Sequence, residues 1–269
     1  MDAAGADTPI LLAERLGTVL VLTLNRPQAR NPLSEAMISA LGGQFAAIAD
    51  DRSTRAVVLT HNGPAFSAGH DMKEMTARRS DEDGGRAYFK QLMTACSAMM
   101  QMVVRLPQPV IAAVEGVASA AGCQLVASCD LAIAGEGARF ATPGVNIGLF
   151  CSTPMVALSR NVSRKHAMEM LLTGDLVDAE HAARVGLVNR VVPAGTARER
   201  ASALADQIAS KSTATVKVGK EAFYRQVEMD LGDAYAYTVE VMTQNMMFRD
   251  AEEGIGAFIE KRAPKWQDQ

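Results

Sequence analysis

Aromatic side chains are scarce in these 269 residues, at 5% of the chain with a single Trp. A core short of large rings must be filled by aliphatic and small side chains. The 15 Met and 21 Gly fit that account, because thioethers fill irregular gaps and small residues let elements approach closely. Cysteine is sparse too. Cys96, Cys123, Cys129 and Cys151 form no CxxC pair, which argues for scattered buried thiols in place of a disulfide frame. Net charge is only −3, so nucleic-acid binding through bulk positive charge is excluded. No apolar run reaches the length of about 18 residues that a membrane span needs. The weakly charged stretch 106–135 is interrupted by Pro107, Pro109, Gly116 and Gly122. Nucleotide-binding signatures are missing: no GxGxxG opens a helix, and no GxxxxGK is followed by Ser or Thr. His61, His70, His166 and His181 lack HExxH spacing and stand in no Cys/His cluster, so no metal is expected. The opening MDAAGADTPI has no positive stretch before an apolar run and no Arg, which predicts neither a secretory signal nor a transit sequence. A cytoplasmic protein is expected.

What is present is an ordinary globular balance, 48% apolar and 21% charged. Residues 10–24 read as two strands around Gly17, and Asn25–Pro32 as a loop. Residues 34–49 have helical period, with Ser34 as N-cap and Leu33, Met37, Leu41, Phe45 and Ile48 on one face. Ala56–Thr60 and Val110–Val114 are short, continuously apolar strands of the kind buried on both faces of a parallel sheet. Between them, His61–Asp71 reads as a loop, 73–83 as charged and mobile, and 86–105 as a Met-rich helix ended by Pro107 and Pro109. Then follow a small-residue turn at 116–122, a helix at 123–129, a strand at 131–134 and a loop at 140–148. Helices are expected at 163–173 and 178–185, a strand at 187–192, and helix over nearly all of 196–262. No internal repeat is visible. Strands alternating with helices imply an α/β layer fold. The organisation expected is an α/β core over 1–195 and a helical oligomerisation region over 196–269.

Two small-residue turns carry the chemistry. AFSAGHD (65–71) follows one apolar strand, and GVASAAGCQ (116–124) follows another. Open α/β sheets place ligands at such strand ends, and a helix that starts there has unpaired N–H groups. Two facing turns would aim two amide donors at one oxygen, which is the geometry of an oxyanion hole. The competing reading is a pair of plain tight turns. AFSAG also lies one residue from a GxSxG nucleophile elbow, so a serine hydrolase acting through Ser67 is a minor alternative. Glu115 reads as a solvated turn residue, Asp130 as structural, and Met93, Met99, Met100 and Met102 as core or pocket lining.

At these residues the chain resembles the crotonase superfamily, the enoyl-CoA hydratase/isomerase family. The segments are LTLNRPQARNPLS (22–34), FSAGHDMKEM (66–75), PVIAAVEGVASAAGCQLVASCDLAIAGEGARFATPGVNIGL (109–149), MEMLLTGDLVDAEHAARVGLVNRVVP (168–193) and EGIGAFIEKRAPKW (253–266). The GCQLVASCD and TPGVNIGLFCSTP pattern is similar to the subgroup of enoyl-CoA hydratase domain-containing protein 3. The resemblance implies a ClpP-like spiral of βαβ units with a C-terminal trimerisation region, and homotrimers or dimers of trimers. It also implies an acyl-CoA thioester ligand, with coenzyme A as part of the substrate and no separate cofactor. The backbone amides of His70 and Ala121 take the positions of the oxyanion donors. Ala68, Met72, Ala29, Lys73 and Gly122 match positions along the CoA path. Phe258 and Lys261 match C-terminal residues that can reach a neighbouring subunit's CoA.

The departures from the family pattern matter as much. Hydratases of this family carry two glutamates, and Gln124 and Gly144 occupy those positions here. Gln cannot take a proton and Gly has no side chain, while each positioned acid or base is typically worth about 10²–10⁴ in rate. The implied function is therefore a lyase or isomerase of fatty acyl thioesters through enolate stabilisation, with ordinary hydration doubtful. SAGHD also resembles methylmalonyl-CoA decarboxylase, but the tyrosine expected in the later loop is absent and Cys151 lies near its place. A non-catalytic acyl-CoA-binding protein is the remaining alternative.

Overall fold

The computed structural model describes residues 8–269, so the part of the leader reading that rests on residues 1–7 lies outside it. The hairpin expected at 10–24 forms as β1 (Leu11–Leu16) and β2 (Val19–Leu24), turning at Gly17 with φ +59°. The Ser34 hydroxyl accepts the Met37 N–H and caps α1 (Glu35–Asp50). Met37, Leu41, Phe45 and Ile48 all lie in the core, on the face that the periodicity marked.

β2, β3 (Ala56–His61), β5 (Val110–Val114), β7 (Leu131–Gly135) and β10 (Arg190–Val192) run parallel in the order β1-β2-β3-β5-β7-β10. Both faces are covered, which is why the strand sequences are apolar throughout. Leu20, Leu22, Leu24, Val57, Leu59, Ala112 and Val114 face the core shared with α1 and α3 (Arg86–Arg105). The alternate residues Val19, Val21, Val58, Ile111 and Ala113 face Ala197, Ala201, Ala205 and Ala209 of α8 (Ala197–Ala209). An alanine every fourth position gives α8 a flat stripe that lies close on the sheet.

A second sheet escaped the sequence. β4 (Ala65–Ser67), β6 (Val117–Ser119), β8 (Arg139–Ala141) and β9 (Val177–Asp178) pair in that order, where loops, a turn and the start of a helix were expected. Two or three residues are too few to show a period of two. The second sheet also reveals a repeat that the sequence hid: β3, β5 and β7 each turn sharply into β4, β6 and β8, and a helix follows. This is the expected spiral, built from strand pairs. Gly116 makes one corner, where an added Cβ would sit 2.1 Å from the Pro64 carbonyl oxygen.

Two other expectations are corrected. Segment 73–83, read as charged and mobile, holds regular structure in its first part: α2 (Met72–Ala77) and a 3-10 turn at Arg78–Ser80. The Asp71 carboxylate accepts the Lys73 and Glu74 N–H groups and so starts α2, while Arg78 stacks on Tyr88 at 5.0 Å. Glu115 is not a solvated turn residue. Its carboxylate accepts the N–H groups of Gly195 (2.9 Å) and Ala197 (2.6 Å), which ties the end of β5 to the start of α8.

The chain continues through α4 (Ala121–Ser128), α5 (Pro154–Asn161), α6 (Arg164–Thr173) and α7 (Ala179–Arg184). After α8 come α9 (Thr213–Gln226), α10 (Leu231–Met246) and α11 (Arg249–Glu260). The final residues fold back: Trp266 donates to the Ser210 carbonyl, and Asp250 accepts the Gln267 and Asp268 N–H groups. Among the described residues no helix is long and apolar enough to cross a membrane.

Candidate functional site

The two small-residue turns meet. Gly69, with φ +93°, sits so close to the second turn that an added Cβ would lie 3.0 Å from the Ala120 Cβ and 3.4 Å from the Ala121 nitrogen. Leu33 clamps the first turn from both sides: its N–H donates to the Gly69 carbonyl (2.8 Å), and its carbonyl accepts from His70 Nδ1 (3.2 Å). In the second turn, Ala120 has φ +51° and ψ −117°, backbone that costs about 1–3 kcal/mol away from glycine. The Ala120 N–H donates to the Ala141 carbonyl (2.9 Å), which holds the turn on β8. Among the described residues, neither the His70 nor the Ala121 backbone N–H donates a hydrogen bond within the protein. The two amides expected as a pair therefore lie on touching turns with both donors free.

His70 also brings a side chain. A carbonyl oxygen only accepts, so Nδ1 carries the proton in the bond to Leu33, and Nε2 is left with a lone pair. Nε2 is buried and has no partner. Burial holds the ring below the ordinary histidine pKa, opposed by the Leu33 bond, so it is neutral near pH 7.

Gln124 stands on α4 one turn beyond Ala120, 5% exposed, and its Oε1 has no hydrogen-bond partner. Gly144 is buried in a 3-10 turn over Pro143–Ile147. A Cβ there would meet the Leu149 carbonyl at 2.7 Å and Cys151 Sγ at 2.9 Å, and the Gly144 N–H points at the same sulfur at 3.4 Å. The two positions that the resemblance matches to glutamates thus differ: Gln124 keeps the length of a glutamate, whereas 144 is packed shut by 149–151. Thr142, two residues before Gly144, was not singled out in the sequence. It is 1% exposed and its Oγ1 has no partner. A lone Thr in a short strand–loop junction carries no sequence signal.

The remaining expected positions are spread over the first turn, α2 and α11. Ala29, Ala68, Met72 and Lys73 are exposed, around the start of α2 and the loop that hydrogen-bonds to Ala68. Gly122 is buried against β4, where a Cβ would come within 2.3 Å of the Ser67 carbonyl, so its smallness serves the helix–strand contact. Phe258 and Lys261 lie on and just after α11, with Phe258 84% exposed and Lys261 in the left-handed region at φ +57°. Ser67 is fully buried in β4 and its Oγ accepts the Gly69 N–H, which is incompatible with an exposed nucleophile elbow and removes the hydrolase alternative. All four cysteines are buried and free. Asp130 is structural as expected: it accepts Lys220 Nζ (2.7 Å), Tyr224 OH (3.0 Å) and the Val110 N–H (2.7 Å).

Comparison with known proteins identifies the family and the fold. The family model for enoyl-CoA hydratase/isomerase matches residues 14–269. The human enoyl-CoA hydratase domain-containing protein 3, mitochondrial, is 46% identical over 94% of this chain and 82% of that protein. Its crystal structure superimposes with a TM-score of 0.91, at 45% identity over 96% of this chain and 100% of that one. A crystal structure of an enoyl-CoA hydratase from Mycobacterium smegmatis gives 0.92 at 53% identity, over 96% of this chain and 99% of that one. The cytoplasmic expectation is overturned by these relatives, since those from human, Xenopus laevis and Rattus norvegicus are named mitochondrial. Compartment addresses are read by receptors, so composition was a poor guide. The fold is the crotonase fold, and the chain belongs to the enoyl-CoA hydratase/isomerase family.

Proposed function

We propose that this chain binds an acyl-CoA thioester and holds its carbonyl oxygen between the backbone N–H groups of His70 and Ala121. The negative charge that an enolate places on that oxygen is stabilised by the two amides. The carrying observation is the contact of Gly69 with Ala120 and Ala121, which sets two unpaired donors side by side. Removing one such donor typically costs about 2.7–4 kcal/mol of transition-state stabilisation. Ala68, Met72, Ala29 and Lys73 border the same turn and α2, and are assigned to the coenzyme A path. Coenzyme A enters as part of the substrate.

Hydration by paired carboxylates is not part of this reading, because Gln124 cannot accept a proton and no side chain fits at Gly144. Isomerase or lyase chemistry through the enolate remains. The closed packing at 144 also supports a second reading, an acyl-CoA-binding protein without turnover. Self-association belongs to the proposal as well. Tyr235, Val239, Met242 and Met246 form an exposed stripe on α10, and Ile255, Phe258 and Ile259 another on α11. Faces of this kind are buried between copies in a trimer or hexamer.

A crotonyl-CoA hydration assay, run beside a family hydratase with both glutamates, tests the proposal. A rate lower by at least about 10² is expected; an equal rate contradicts it. Butyryl-CoA binding with no turnover across a panel of thioesters would favour the second reading.

A further inference from the structure

Three segments meet at Ala120: the Gly69 turn packs on its Cβ, its N–H bonds to the Ala141 carbonyl, and its carbonyl accepts the Gln124 N–H at 3.0 Å. A thiol borders them. The Cys151 sulfur accepts the Gly144 N–H at 3.4 Å and lies 2.9 Å from where a Cβ at 144 would stand, so it takes the room of the missing side chain. It neighbours α4 as well: burial, and then the nearby Cys151 thiol, hold the Cys123 pKa up at about 12. Two polar atoms on these flanking segments are buried without a partner. Thr142 Oγ1 stands two residues before Gly144, and Gln124 Oε1 belongs to the residue after Cys123. Buried polar atoms are rarely left open, and these leave bonding for a molecule held beside the thiol.

An enolate is quenched by a proton on its α-carbon, and few groups here have one to give. His70 Nε2 carries none, because Nδ1–H is committed to Leu33. Asp71 is held by the α2 cap and Arg26. The Ser67, Ser119 and Thr142 hydroxyls hold their protons far more tightly than a thiol does. Residues 141–153 contain no Asp, Glu, Lys or Arg. Burial pushes the Cys151 thiol up, opposed by the Gly144 N–H, so it keeps its proton near pH 7.

We propose that the Cys151 thiol gives its proton to the α-carbon of the thioester enolate and is a catalytic residue of this site. The inference rests on the acyl-CoA reading above and adds the proton donor that it leaves unnamed. In the step, the S–H bond breaks and the enolate's electron pair forms the new Cα–H bond. The carbonyl re-forms on the oxygen between the two amides, and the thiolate takes a proton from water. In reverse, the thiolate removes one α-hydrogen as base. One sulfur reaches one face of the enolate, so only one of the two α-hydrogens takes part.

Incubation with butyryl-CoA in deuterium oxide near neutral pD, read by mass spectrometry, provides the test. The wild-type protein should place one deuterium in each butyryl-CoA. Cys151→Ser and Cys151→Ala should slow that exchange at least about 10²-fold. Titration calorimetry should give both variants butyryl-CoA dissociation constants within about three-fold of the wild type. Exchange undiminished in the variants, exchange of both α-hydrogens, or bound butyryl-CoA that exchanges nothing would overturn the inference and leave the acyl-CoA reading standing. Failure of butyryl-CoA to bind the wild type would overturn both. The deuterium count in the wild type remains a test even if neither variant folds.

Discussion

The buried polar groups around Asp130 and those around Ala120 are built in opposite ways. Around Asp130, the charged groups are paired inside the protein. Lys220 Nζ reaches Asp130, the Val103 carbonyl and the Gln108 carbonyl, and Tyr224 and the Val110 N–H complete the carboxylate. Burial pulls Lys220 below the ordinary lysine pKa and pushes Asp130 up, with their ion pair opposing both shifts. Around Ala120, by contrast, two backbone N–H groups and three side-chain atoms are open. The first cluster fastens α9 to the core. The second leaves its bonding to whatever binds there. A satisfied network holds structure, and an open one leaves donors and acceptors for another molecule, water included.

The contrast predicts opposite responses to losing a polar group. Lys220→Met leaves Asp130 charged and buried with one partner fewer. It should cost about 3–5 kcal/mol, read as a lower urea midpoint. Gly144→Ala places a methyl against the Leu149 carbonyl and Cys151 Sγ, and should cost about 1–3 kcal/mol by the same measurement. A cost near zero would mean that 149–151 yields and that a carboxylate could be restored. Thr142→Val is expected to be neutral or to stabilise by up to about 1 kcal/mol, because it removes an unpaired group. If it costs as much as Lys220→Met, the distinction between the clusters fails.

A pH effect sharpens the comparison. His61 and His70 are both held below the ordinary histidine pKa by burial. His61 Nε2 accepts the Glu115 N–H at 3.1 Å, so protonation there would oppose two donors. As pH falls below about 6.5, the unfolded chain takes up protons before the folded one, and stability drops toward the folded-state pKa values. Urea midpoints at pH 7.5 and 5.5 should show that loss, and His61→Gln should reduce it. A flat profile would contradict neutral, buried imidazoles.

Much of this was readable in the chain. α1 announced its cap and its face, β3 and β5 their burial, and both turns their position at strand ends. Gln124 and Gly144 read as departures from the family pattern, and what packs around each of them could not be read from the chain. Other features depend on neighbours remote in sequence. β4, β6 and β8 exist because each pairs beside the last, not because three residues prefer a strand. Glu115 reads as a solvated acid until the start of α8, eighty residues later, is known to lie on it. Thr142 and Leu33 gain meaning only from the segments that meet around Ala120.

The central claim is that the thioester oxygen sits between the two turns. A crystal structure with butyryl-CoA bound tests it most directly. The account predicts the thioester carbonyl oxygen at about 2.7–3.2 Å from both the His70 and Ala121 nitrogens. A carbonyl directed away from either amide would contradict it.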